Sequence, residues 1–129
     1  FQNETIRLLP AEQYPMLGLN DHEHTPADFF DTRSGEDTKG FPSVSAYWES
    51  VIALPEFEKG ALKEIVLYPI DLGNPVTDNV SRSMRGRPMK ANPALAKKII
   101  GNLADLSKPF GTEIEYDNGV GRIRVRGSN

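Results

Sequence analysis

The sequence predicts an α+β domain: antiparallel β-hairpins form a sheet, and a helix of the C-terminal half, at about 92–107, covers it. Three observations carry this. Residues 47–54 and 62–70 are runs of β-branched and aromatic residues around Glu58-Lys59-Gly60, where Gly supplies the positive φ of a tight turn. Asn118-Gly119 sits between two further short runs with the same logic. Leu95, Ile99, Leu103 and Leu106 recur at helical spacing after Asn92-Pro93, an N-cap followed by a residue suited to the first helical position.

In chain order, residues 1–9 read as a strand stopped by Pro10, and 11–17 as a helix-compatible stretch ending at Gly18. Residues 19–45 are rich in Asp, Glu, Gly, Thr and Pro with weak periodicity, so a long irregular loop is expected. Within it, Pro26-Ala27-Asp28-Phe29-Phe30 carries the signal for one helical turn with its aromatics packed inward. In the second strand of the long hairpin, residues 65–70 are apolar in succession rather than alternately. That pattern predicts a strand covered on both faces.

A type I′ turn at Asn118-Gly119 sets a register for 112–116 against 121–126. It places Glu115 opposite Arg122, Ile114 opposite Ile123 and Glu113 opposite Arg124. The apolar pair then falls on one face and both ion pairs on the other.

The 129 residues and 14.3 kDa suit one core, so residues 1–129 are expected to form a single domain. The formal charge of −3 supplies no global field for a general nucleic-acid binder, and any anion site must be local. Without cysteine there are no disulfides, thiolate zinc sites or Cys nucleophile. No apolar run approaches the roughly 20 residues of a membrane span. Opening on a strand-like segment at Phe1 predicts that the natural polypeptide continues upstream.

Asp21-His22-Glu23-His24 has metal-ligand residue types, but it lies in a polar stretch with nothing to fix ligand geometry, so no metal site is expected there. Arg122, Arg124 and Arg126 make a one-sided basic stripe whose commoner use is pairing with Glu113 and Glu115. Glu4, Glu49 and Asp71 sit on or beside strands with no partner that would make them an acid or base. No nucleophile motif, phosphate loop or dinucleotide fingerprint is present. No catalytic residue is therefore assigned, and the isolated chain is predicted to be inactive.

The better site is the basic run Arg82, Arg85, Gly86, Arg87 and Lys90 leading to Asn92 at the helix start. Unpaired N–H groups and the positive dipole end attract an anion, and an Arg fork grips carboxylate or phosphate through two parallel hydrogen bonds. The competing arrangement is internal: Asp21, Glu23, Asp28, Asp31, Glu36 and Asp37 neutralise the run.

Gln2-Asn3-Glu4, Tyr47-Trp48-Glu49-Ser50-Val51, Leu67-Tyr68-Pro69-Ile70-Asp71-Leu72-Gly73, Arg85-Gly86-Arg87-Pro88, Leu106-Ser107 and Phe110-Gly111-Thr112-Glu113-Ile114 occur in this order. Together they resemble the C-terminal part of CapA-type poly-gamma-glutamate capsule synthesis proteins. The resemblance implies a bacterial exported or cell-surface protein related to metallophosphatases, with its divalent metal in an upstream part. The Asp-x-His and Gly-Asn-His motifs of that family do not occur here, so no catalytic or metal residue carries over and no cofactor is expected in this chain. The implied role is an accessory C-terminal domain that contacts its upstream domain and helps bind polyglutamate or a phosphoester. The alternative is a noncatalytic interaction or structural module binding a polyanion or a partner protein. Neither reading involves nucleic acid or a membrane span in this segment.

Overall fold

A computed structural model describes residues 12–16, 19, 26–78 and 80–125. The strand expected at 1–9, Glu4, Arg126 and the His22/His24 pair lie outside the described residues. Of the helix-compatible stretch at 11–17, Gln13–Met16 is helical (α1).

Strands β1 (Glu49–Glu58) and β2 (Ala61–Asp71) form the long hairpin. Lys59 and Gly60 turn it with φ of 50° and 83°, the left-handed pair that matches strand twist. β1 runs four residues further toward the turn than 47–54 suggested, because it is an edge strand and tolerates Pro55. On its other side β2 pairs first with β5 (Val120–Arg124), through Glu64 to Leu67, and then with the short β3 (Met89–Lys90), through Ile70 and Asp71. Pro69 falls between these two partners. Its missing N–H costs no ladder bond there, and its carbonyl accepts from Ala91 N–H at 3.2 Å. β4 (Glu115–Asp117) completes the order β1-β2-β5-β4, all neighbours antiparallel.

The β4–β5 turn carries φ of 47° at Asn118 and 88° at Gly119, and Glu115 stands opposite Arg122 as the register predicts. The ladder stops there, however. Glu113 and Ile114 precede β4, so they are not strand partners of Arg124 and Ile123. The ion pairs also differ from expectation. Arg122 reaches Glu64 at 2.7 Å and Asp117 at 3.1 Å, while Arg124 reaches Glu115 at 3.0 Å and Glu64 at 3.5 Å. Glu64 on β2 shares their face from the other side of β5, directly opposite Arg124 and diagonal to Arg122, and draws both arginines toward it.

Helix α3 (Pro93–Ser107) crosses one face of the sheet. Ala96, Ile99 and Ile100 are buried on it; Ala96 and Ile99 form the core with Ala91, with Val51 and Leu95 packed against them, and Ile100 lies over Gly121 of β5. Ile100, 1% exposed, contributes about 1.5–3 kcal/mol by burial. The stripe runs through 96, 99, 100 and 103 and continues at Ser107, which leaves Leu106 facing outward at 71% exposed rather than in the core.

The opposite face of the sheet corrects the expectation of two covered faces. Ile52 and its strand partner Tyr68 are 50% and 41% exposed, and Leu54 beside them is 52% exposed. α3 packs only on the face of Val51 and Leu67.

The long loop expected at 19–45 is also corrected: the helical turn expected at 26–30 is there but extends into a nine-residue helix, α2 (Pro26–Ser34), followed by 3-10 turns at Phe41–Ser43 and Ser45–Trp48. Start and stop signals substitute for periodicity. Pro26 opens the helix, Asp28 sits in its first turn and Arg33 in its last, and Gly35 with φ 54° ends it. Phe29 and Phe30 meet edge to face at 5.3 Å, but Phe30 is 40% exposed and not packed inward.

Candidate anion-binding segment

The segment between β2 and α3 is folded back onto the end of the sheet. Asp71 Oδ1 accepts Gly73 N–H at 2.8 Å, and Gly73 takes φ 77°, where a Cβ would press on Val80 at 3.2 Å. Leu72 then donates its N–H to Trp48 O at 2.9 Å and accepts Gly86 N–H at 2.8 Å. A 3-10 turn at Arg82–Met84 precedes Gly86.

This folding sends the arginines in different directions. Arg82 pairs with Asp31 of α2, and that hydrogen bond raises the guanidinium pKa above its ordinary value. Arg85 Nη2 lies 2.7 Å from Asp37 Oδ2, with the side chains 23% and 16% exposed. Arg85 Nε is buried without a hydrogen-bond acceptor. Two of the six sequence-predicted residues thus meet two of the acids expected to compete for them.

Gly86, Arg87 and Lys90 remain at the surface. Arg87 Nη1 approaches only Met84 Sδ, at 3.7 Å, and among the described residues no carboxylate lies within 4 Å of Arg87 or Lys90. Asn92 is committed locally. Its Oδ1 accepts Leu95 N–H at 2.9 Å, and Pro93 has no N–H, so the helix start offers an anion fewer donors than its position promised.

Two cavities flank the segment. One, of about 310 Å³, is lined by Glu49, Asp71, Asp78, Asn92 and Lys98 among others. Glu49 and Asp71, unpaired in the sequence, are direct partners across β1 and β2. One oxygen of each is already engaged: Glu49 Oε1 accepts from Lys98 Nζ at 2.6 Å and Asp71 Oδ1 from Gly73. Among the described residues no group of three His, Asp or Glu side chains is placed to hold a metal.

The other cavity, of about 570 Å³, lies between α2, the Phe41–Ser43 turn and the Arg82–Met84 turn. Arg82 and Arg85 line it together with Phe30, Arg33, Lys39 and Phe41. The sequence reading missed Arg33 and Lys39. Without α2 and the turns that follow it, nothing placed them near residue 85.

No family model matches the chain. Two uncharacterised proteins of Sinorhizobium fredii, y4sH and y4uA, are each 33% identical to it over 124 residues, covering 89% of this chain and 25% of their own length. The chain therefore spans about a quarter of the curated relatives it matches. No helix among the described residues is long and apolar enough to cross a membrane.

Proposed function

We propose that the chain is a noncatalytic accessory domain of a longer, CapA-like protein of capsule polyglutamate synthesis at the bacterial surface. It holds an anionic substrate, polyglutamate or a phosphoester, against the Arg82–Lys90 run, while any divalent metal and the chemistry belong to another part of the polypeptide. The observation that carries this reading is the division of labour within the run. Arg82 and Arg85 are pinned by Asp31 and Asp37, while Arg87 and Lys90 stay exposed. Pinning fixes the backbone, so less ordering cost falls on the cations that meet the ligand.

Titration of poly-gamma-glutamate followed by fluorescence anisotropy tests the reading. Binding is expected to weaken with salt and to drop about tenfold in the Arg87→Ala/Lys90→Ala variant. Equal affinity in the two chains at low salt refutes it.

A second reading, an interaction module, is favoured by the open sheet face. Ile52, Leu54 and Tyr68 form an exposed apolar strip on a sheet that, among the described residues, has a helix on one side only. In the accessory-domain reading this strip meets the upstream domain. Changing Ile52 and Leu54 to Lys is expected to spare the fold of the isolated chain and to abolish that association in the longer protein.

A further inference from the structure

We propose that the cavity between α2 and the Arg82–Met84 turn binds a small acid with a flat aromatic body, its carboxylate or phosphate held by Arg33, Lys39 and Arg85. Its volume of about 570 Å³ is that of an ordinary small-molecule site. The walls are of two kinds. Phe30, Phe41 and Pro42 supply an apolar surface, and Phe30 and Phe41 are 40% and 59% exposed, open to a further ring. Phe41 already stacks on Tyr47 at 4.7 Å with its ring nearly parallel, so its orientation is set before a ligand arrives.

The charges argue for an acid. The chain as a whole carries −3, yet this lining has four cations, Arg33, Lys39, Arg82 and Arg85, against the two carboxylates of Asp31 and Asp37. Both carboxylates are engaged by Arg82 and Arg85. Arg33 and Lys39 have no carboxylate within 4 Å among the described residues, so the positive surplus lies with them. Arg85 lines the same cavity, with its Nη2 shared with Asp37 at 2.7 Å. A neutral aromatic would leave these cations unmet, and a bare inorganic anion would leave the phenylalanine wall wet.

The site shares Arg82 and Arg85 with the exposed run but does not use Arg87 or Lys90, so the two can fail separately. Calorimetric titration of the chain with benzoate and phenyl phosphate, alongside acetate, inorganic phosphate and benzyl alcohol, tests the proposal. At least one aromatic acid is expected to bind about tenfold or more tighter than all three controls, and the better of the two identifies the acid group. The Arg33→Ala/Lys39→Ala variant should lose about tenfold in that affinity while melting like the parent, and Arg87→Ala/Lys90→Ala should bind as before. Lys39→Gln alone serves if the double variant melts early. Absence of saturable binding by either aromatic acid overturns the proposal. So does undiminished binding after loss of Arg33 and Lys39, or binding lost only with Arg87 and Lys90.

Discussion

Gly121 of β5 lies directly beneath Ile100 of α3: a Cβ on the glycine would come within 2.8 Å of Ile100 Cδ1 and 3.2 Å of its Cγ2. Helix and sheet therefore approach at a point where only a hydrogen fits. Ile100 is 1% exposed and has no free space to retreat into. Gly121→Ala is expected to lower stability by about 1–3 kcal/mol through overpacking, read from the urea midpoint at constant slope. Ile100→Val removes the closest methyl, so adding it to Gly121→Ala should cost less than the two separate losses combined. Simple additivity would show that the contact is not the cause.

The N-terminus of α3 rests on one side chain. Asn92 Oδ1 satisfies Leu95 N–H at 2.9 Å, and Asn92→Ala should cost about 1 kcal/mol, whereas Asn92→Ser should cost less because a hydroxyl caps the same donor. Chemical denaturation of both variants checks the order. A neutral Asn92→Ala would mean that solvent serves Leu95 equally well.

Lys63 offers a pH-dependent test at the hairpin. Its pKa is raised above the ordinary lysine value, chiefly by the hydrogen bond to Glu56, with the Glu56 and Glu58 charges adding to it. A raised cation pKa contributes stability that is fully present below the unfolded-chain value and is lost as pH rises through the folded value. An NMR titration of Lys63 should show its midpoint above that of a free lysine, and Glu56→Gln should lower it. An unmoved midpoint in the variant counts against the pairing.

What the sequence made legible follows from how local each signal is. Asn118-Gly119 fixed a turn and a register in five residues, and Asn92-Pro93 with Leu95 and Ile99 fixed a helix, because caps, turns and periodicity act within one or two turns of chain. The partners of Arg122 were misjudged because Glu64 lies on a strand 58 residues away, and hairpin arithmetic sees only one neighbour of β5. The extent of α2 beyond the turn at 26–30 was hidden for a different reason. Its apolar residues do not repeat at helical spacing, and its evidence lies in Pro26, Asp28, Arg33 and Gly35 at the ends. With α2 read as one turn at 26–30, Asp31 and Asp37 were competitors in name only, and the cavity that Arg33 and Lys39 line had no walls.

The turn after α2 shows how that cavity is held together and gives the last prediction. Gly35, Glu36 and Asp37 take φ of 54°, 53° and 68° in succession, so two residues with side chains sit in the left-handed region. Each such residue costs roughly 1–2 kcal/mol, although Asp tolerates the region better than Glu. Ser34 offsets part of this: its hydroxyl donates to Asp31 O at 3.2 Å and accepts Asp37 N–H at 3.1 Å. The product of the turn is Asp37 delivered to Arg85 at 2.7 Å. If the ion pair holds the strained turn, Asp37→Asn, which keeps the backbone preference and removes the charge, should destabilise the chain by about 1–3 kcal/mol. Glu36→Gly should do the opposite, gaining about 0.5–1 kcal/mol by relieving strain without touching the pair. Hydrogen exchange would then locate both effects, with faster exchange at Lys39 N–H, bonded to Ser34 O at 2.8 Å, in Asp37→Asn and slower exchange in Glu36→Gly. Asp37→Asn as stable as the parent, with Lys39 equally protected, would mean that the turn stands without Arg85 and that the Arg82–Lys90 run is not anchored through it.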